Sequence, residues 1–220
     1  MFHINTVQPI ALLGLTGKAS AGKNSCATAL ADLGFTSIAF ADAIRTEVAR
    51  AWGIDERMLT ERVTKETPLP GLAITRCQSN EFINWAVLQH HSVLVWRSPR
   101  WVMQRWGTEF RLSQNTLHWI HLVNQQIHQL THSGINRIVI TDVRTQDEAA
   151  FVRLMGGKLA RVHRQDGASM ASDTGTHETE RTDHIQVDFD IVNTSTLDKL
   201  RQSTHRAVIE QFTRFQGRTA

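Results

Sequence analysis

The chain has 220 residues, 41% of them hydrophobic and 20% charged, an ordinary globular composition with length enough for one buried core and inserted segments. The formal net charge is +3, with Lys and Arg scattered along the chain; a small anionic ligand accounts for that balance as well as a nucleic acid does, and a nucleic-acid polymer is not the expected partner. No apolar run approaches the ~18 residues of a membrane span, Met1-Phe2-His3-Ile4-Asn5 sets no basic segment ahead of the first apolar run, and Cys26 and Cys77 lie far apart without metal spacing, so the expectation is a cytoplasmic protein with no membrane partner.

The first predicted element is a strand, Ile10 to Leu15. It runs into Gly17-Lys18-Ala19-Ser20-Ala21-Gly22-Lys23-Asn24-Ser25, and a helical pattern follows from Cys26 to Leu33, stopped by Gly34. Strand, glycine-bracketed loop and helix in that order are what a phosphate-cradling P-loop requires. The glycines let successive N–H groups turn inward on an anion, the helix N-terminus adds partial positive charge, and Lys23 reaches the β- and γ-phosphates. The Ser or Thr usual after that lysine is Asn24 here, with Ser25 one place later.

Phe35 to Phe40 reads as a second strand, and Asp42 as the cap of a helix through Trp52, with Ile44, Val48, Ala51 and Trp52 as its apolar stripe. Pro68-Leu69-Pro70-Gly71 is a loop. A helix is expected from about Asn80 to His91, another from the Ser98-Pro99 start to Trp106, and a longer one carrying Leu117, Ile120, Val123, Ile127 and Leu130, ended by Gly134. Arg137 to Thr141 is a β-branched strand ending at Asp142. Thr145 and Glu148 form a capping box for a helix to about Met155. Leu159 to His163 and Phe189 to Val192 are the last strands, and Thr196 to Phe215 is a closing helix with Leu197, Leu200, Val208, Phe212 and Phe215 inward. The polar stretch from Arg164 to Asp183 reads as a loop or lid. Strands alternating with helices imply a parallel sheet covered on both faces, with ligands beyond the carboxyl ends of its strands.

Phosphoryl transfer needs anion clamps and a carboxylate that organises a metal. Lys23 and the loop amides supply the clamp, and Asp142 is placed to hold Mg²⁺ through water; the amide of Asn24 or the hydroxyl of Ser25 is a further oxygen ligand, or the ion is held mainly by water and phosphate. Arg97, Arg100, Arg105 and Arg111 surround Trp101 and Trp106; arginines over indoles suit a nucleotide, and the same spacing suits a helix whose tryptophans are core. Of 11 histidines, His118, His121, His128 and His132 share a helical spacing without a Cys or carboxylate at ligand distance in sequence, so they read as a solvated helix face.

Several ordered blocks carry a further likeness: Gly-Leu-Thr-Gly-Lys-Ala-Ser-Ala-Gly-Lys-Asn-Ser at 14–25, Phe-Ala-Asp-Ala-Ile-Arg at 40–45, Ala-Trp-Gly at 51–53, Met-Gln-Arg-Trp-Gly-Thr-Glu at 103–109, Ile-Thr-Asp-Val-Arg at 140–144 and Met-Gly-Gly-Lys at 155–158. In these the chain resembles the phage-type deoxynucleoside monophosphate kinases, a branch of the P-loop NMP kinase fold. The resemblance implies an α/β fold, the three-layer α/β/α P-loop NTPase arrangement with a parallel sheet, an NMP-binding helical insert and a lid. It reads 1–220 as a single P-loop kinase domain, with an acceptor-binding helical region at about 40–133 and the lid at about 164–183.

It implies transfer of the γ-phosphoryl of ATP to a deoxynucleoside monophosphate with Mg²⁺, and it leaves a homodimer open. ATP would lie against Gly17, Lys18, Ala19, Ala21, Gly22, Lys23, Asn24, Ser25 and Arg164. Arg45, Lys65 and Arg100 match positions that hold the acceptor phosphate; Gly107, Thr108, Trp119, Asp142, Arg144 and Glu148 match the acceptor pocket. Lys23, Asp142, Arg144 and Arg164 are the expected catalytic set, while His177 and Glu180 match lid or structural positions. Family members often carry Asp where Asn24 stands and Arg where Lys65 stands. The rival readings are another small-molecule P-loop kinase, such as a dephospho-coenzyme A kinase, and a nucleotide-binding regulatory protein without turnover.

Overall fold

The computed structural model describes residues 10–61, 64–164, 182–194 and 196–216. Its strands are β1 (Ala11–Thr16), β2 (Thr36–Ile38), β3 (Arg137–Ile140), β4 (Lys158–Arg164) and β5 (Phe189–Asn193). Its helices are α1 (Lys23–Ala31), α2 (Phe40–Trp52), α3 (Arg57–Thr60), α4 (Asn80–Leu88), α5 (Pro99–Gln104), α6 (Leu112–Gln114), α7 (His118–His132), α8 (Gln146–Leu154) and α9 (Leu197–Gln216), with a π-helix, Arg105–Arg111, joining α5 to α6. Two compact units divide the chain: Met1–Ala39 with Asn124–Ala220, and Phe40–Val123.

The first unit is a parallel sheet in the order β2-β3-β1-β4-β5. Leu13 stands opposite Val139 on one side and Lys158 on the other. Alternation along β1 sends Leu13 and Leu15 to one face, where they join Val139, Ala160, Val162 and Ile191 of the sheet, Cys26 and Leu30 of α1, and Leu200 and Val208 of α9. Full burial of each such leucine contributes on the order of 2 kcal/mol. On the opposite face α8 packs down on Gly14: a Cβ there would lie 2.7 Å from Leu159 Cδ2 and 3.2 Å from Val152 Cγ2. The sheet is thus sandwiched between helices, an α/β three-layer fold, and its strand order turns back at β1, so the loop after β1 opens at the switch point.

The second unit is helical, and its core is aromatic. Phe82 meets Trp52, Trp106 and Phe110 at ring separations of 5.3, 5.0 and 5.2 Å, and the Trp52 indole N–H donates to the Ala73 carbonyl at 3.1 Å. Such ring pairs contribute roughly 0.5–1.5 kcal/mol each beyond their buried area.

Most elements fall within a few residues of expectation, and the departures have local causes. The helix expected to start at an Asp42 cap begins at Phe40, which places Asp42 in its first turn as an ion-pair partner of Arg45. The helix expected to reach His91 ends at Leu88, where His90 takes φ +59°. Ser98 does cap α5, accepting from the Trp101 N–H at 3.2 Å, but the helical path runs past Trp106 through the π-helix to Gln114. Leu197, expected inward, is 73% exposed, and Leu117 is 42% exposed. The Phe215 side chain, His177, Glu180 and the expected lid, apart from Arg164, Thr182 and Asp183, lie outside the described residues.

Candidate functional site

In the first unit β1 delivers the chain into the glycine-bracketed loop. Gly17, Ser20 and Gly22 all take positive φ, at +131°, +60° and +109°. At Gly17 no side chain fits: a Cβ would lie 2.2 Å from the Val162 carbonyl oxygen. Lys23 curls back over the loop, its Nζ donating to the carbonyls of Gly17 at 2.6 Å and Lys18 at 2.9 Å. Gly22 forms the N-cap of α1 with no side-chain cap bond, at the helix end where backbone N–H groups and the helix dipole favour an anion. Asn24 is exposed on that turn and Ser25 half-buried.

The chain after β3 is stitched to the same edge of the sheet. The Thr141 N–H donates to Ile38 at the end of β2, and the Val143 N–H to Leu15 near the end of β1, both at 3.0 Å. Asp142 sits between these two bonds, next to the strand that feeds the loop.

The capping box of α8 closes as expected, with the Glu148 N–H donating to Thr145 Oγ1 at 3.2 Å. Glu148 Oε2 in turn accepts from the backbone N–H of Arg144 at 2.6 Å and of Thr145 at 3.0 Å. Burial pushes the Glu148 carboxyl up to about 7; the negative charge of Asp142 adds to that rise, while the two backbone donors and Arg144 oppose it. The side chains of Arg144 and Arg164 are exposed. Arg164 ends β4, and its register partner on β5 is Asn193. Asn193, which sequence reasoning missed, donates from Nδ2 to the loop carbonyl of Ala21 at 3.0 Å; no local signal ties positions 172 apart.

In the second unit the expected acceptor residues fall on stitched segments. Arg45 on α2 is half-buried and paired with Asp42. Arg100 is paired with Glu66, and its backbone N–H donates to the Lys65 carbonyl at 3.0 Å. A second bond, from the Leu69 N–H to the Arg97 carbonyl at 3.0 Å, holds the same two segments together.

Gly107 and Thr108 lie in the π-helix. Gly107 is buried so closely that a Cβ would stand 2.9 Å from Ile44 Cδ1, and its carbonyl accepts the Trp119 indole N–H at 2.9 Å. Trp119 is 5% exposed, so it backs Gly107 as wall. Of the two indoles that suited either role, Trp106 is core at 2% exposure. Trp101 stays half-exposed, with the Arg97 guanidinium carbon 4.2 Å from its ring centre.

A half-buried carboxylate holds this region together, and it too was not foreseen. Glu47 Oε2 accepts from Trp106 Nε1 and Arg111 Nε, both at 2.8 Å, and Oε1 lies 2.7 Å from His118 Nε2. Burial alone would raise the Glu47 carboxyl; the hydrogen bonds from Trp106, His118 and Arg111 outweigh it and hold the group below the ordinary carboxylate range. His118 therefore departs from the expected solvated row, while His121, His128 and His132 are exposed.

No helix of the described residues is long and apolar enough to cross a membrane. The family model for deoxynucleotide monophosphate kinase matches residues 73–204. Among solved structures, the chain is similar to the dephospho-CoA kinase from Campylobacter jejuni, with 16% identity, 90% of this chain and 96% of that one covered and a TM-score of 0.47. It is also similar to TT1252 from Thermus thermophilus, with 14% identity, 92% and 97% covered and a TM-score of 0.49. No curated protein sequence matches.

Proposed function

Since the chain belongs to the deoxynucleotide monophosphate kinase family and is thus a phosphotransferase, we propose that it moves the γ-phosphoryl of ATP onto a deoxynucleoside monophosphate, giving the diphosphate and ADP. The observation that carries this reading is the loop at 17–23. Its positive-φ residues and uncapped helix start form an anion cradle, in a chain whose family works on nucleotides.

ATP is the phosphoryl donor, its phosphates held by the loop N–H groups of 17–25 and by Lys23. Lys23 exchanges its bonds to the Gly17 and Lys18 carbonyls for the β- and γ-phosphates. Arg144 and Arg164 are exposed and offset the charge of the moving group. On the acceptor side, Arg45, Lys65 and Arg100 hold the monophosphate, with Gly107 and Thr108 in the acceptor pocket. The acceptor phosphate is itself the nucleophile, so no strong general base is needed.

The oxygen donors of Asp142, Ser25 and Asn24 are hard ligands of the kind Mg²⁺ takes. Among the described residues no three His, Cys, Asp or Glu gather as a metal site. Mg²⁺ supplies charge neutralisation at the phosphates.

The test is an acceptor screen. Coupled ADP release is followed with ATP and Mg²⁺ against each deoxynucleoside monophosphate, with dephospho-coenzyme A and no acceptor as controls. Release that depends on a deoxynucleoside monophosphate is expected. Release only with dephospho-coenzyme A, or none with any acceptor, would overturn the reading; the second outcome would favour a regulatory nucleotide-binding role.

A further inference from the structure

Asn193 closes an otherwise apolar stripe. It ends β5 on the same strand face as Ile191, and both are buried, at 9% and 0% exposure. Ile191 belongs to the core cluster with Leu13, Leu15, Ala21, Cys26 and Leu200. A carboxamide there is costly unless its polar atoms find partners. Its Nδ2 finds one at 3.0 Å, the carbonyl of Ala21.

That carbonyl belongs to the peptide unit joining Ala21 to Gly22. In a planar trans peptide the C=O and the following N–H point in opposite directions. Fixing the Ala21 oxygen on Asn193 therefore fixes the Gly22 N–H on the side away from β5. The flanking residues do not fix it by themselves. Gly22 occupies positive φ, at +109°, a region glycine leaves as readily as it enters. The backbone hydrogen bond within this stretch, Ala21 N–H to the Lys18 carbonyl, is long at 3.3 Å. Asn193 also presses on the far side of the loop: a Cβ on Gly22 would stand 2.8 Å from Nδ2 and 3.3 Å from Leu200 Cδ2.

We propose that Asn193 is a positioning residue for phosphate binding: its carboxamide, clamped on the Ala21 carbonyl, aims the Gly22 N–H into the loop where the donor triphosphate sits. The inference rests on the reading of this loop as the ATP site. It assigns Asn193 no contact with ATP. It also gives the end of β5 a part in donor binding, at the register partner of Arg164 on β4.

The test compares the full chain with Asn193→Asp and Asn193→Leu. The aspartate keeps the size and replaces the N–H donor with an oxygen that repels the Ala21 carbonyl. The leucine keeps the bulk and removes the bond, and it answers the same question if the aspartate does not fold. Calorimetry with ATP reads donor affinity, steady-state kinetics reads both KM values, and an amide spectrum follows the Gly22 N–H. The expectation is an ATP Kd and KM raised about tenfold or more, the loss of one oriented hydrogen bond, with the acceptor KM unchanged. The Gly22 amide resonance shifts on ATP addition in the parent chain and stays put in the variants. If the parent fails to bind ATP, the donor-site reading falls and the proposal with it. If the parent binds ATP and the folded variants bind it equally well, or raise the acceptor KM as much as the ATP KM, the clamp is overturned while the donor site stands.

Discussion

Glu148 sits between opposing influences. Burial and the nearby Asp142 charge favour its neutral form, the N–H groups of Arg144 and Thr145 favour the carboxylate, and the group settles at about 7. Its acidity is therefore weakened relative to an unfolded chain, where a glutamate titrates near 4.3. Between those two values the folded state holds a proton that the unfolded state has lost, so this group's contribution to stability is full below about pH 4 and declines as pH rises through about 7.

Glu148→Gln keeps an oxygen to accept the backbone bonds and removes the titration. Relative to the parent, it should gain stability between pH 5 and pH 8 by at most about 3 kcal/mol. Urea unfolding at the two pH values measures this, and parallel curves would refute it. Gly17 makes a simpler demand. Gly17→Ala places a methyl 2.2 Å from the Val162 carbonyl and on a φ of +131°. ATP binding by calorimetry should fall at least tenfold, by the strain of a few kcal/mol such a site imposes. The Thr145–Glu148 box was legible because its partners are three residues apart. The weight of Asp142 on Glu148 was not, because it depends on how the turn between them folds.

Among the elements, the π-helix Arg105–Arg111 departs most from the sequence pattern. A seven-residue stretch of wider turns carries no periodicity of its own, so the pattern from Pro99 onward reads as ordinary helix ending near Trp106. Inside it, Gly107 presses on Ile44 and accepts from Trp119, and π-helical turns are often placed at functional sites. Glu47 ties Trp106 and Arg111, near the two ends of this element, to His118 at the start of α7. Nothing local announces that tie, since its partners lie 59 to 71 positions away.

Glu47→Ala strands an indole N–H and an arginine in a half-buried setting and should lower stability by about 3 kcal/mol, read by urea unfolding. If the π-helix presents Thr108 to the acceptor, a conservative Glu47→Gln should raise the acceptor KM while leaving the ATP KM in place. An equal rise in both would limit Glu47 to a structural role. The elements that were legible share one property: Ser98-Pro99, Gly34 and the Arg137–Ile140 run are set by residues next to one another in the chain.

For the whole molecule, the two units divide the assigned residues without overlap. The loop at 17–25, Asp142, Arg144, Glu148, Arg164 and Asn193 belong to one; Arg45, Lys65, Arg100, Gly107, Thr108 and Trp119 belong to the other. ATP alone should slow amide exchange at 17–25, and a deoxynucleoside monophosphate alone should slow it around 97–111 and, through Asp142, Arg144 and Glu148, at 142–148; protection of both 17–25 and 97–111 by either ligand alone would contradict the donor and acceptor assignments. Arg100→Ala should raise the acceptor KM about tenfold, the loss of one charge-assisted grip, with little change in the ATP KM.

The parallel sheet and its loop were legible from the alternation of apolar runs and glycines. The acceptor-side assignments rest on blocks shared with a family, because the polar contacts of that region join segments distant in sequence. The fate of the γ-phosphoryl can be followed directly. ATP labelled in the γ-phosphate is incubated with the chain, Mg²⁺ and each deoxynucleoside monophosphate in turn, and the products are separated by chromatography. Label is expected in a deoxynucleoside diphosphate, and is lost in Lys23→Ala. Label recovered only as inorganic phosphate or unreacted ATP, with every acceptor offered, would contradict the proposed transfer.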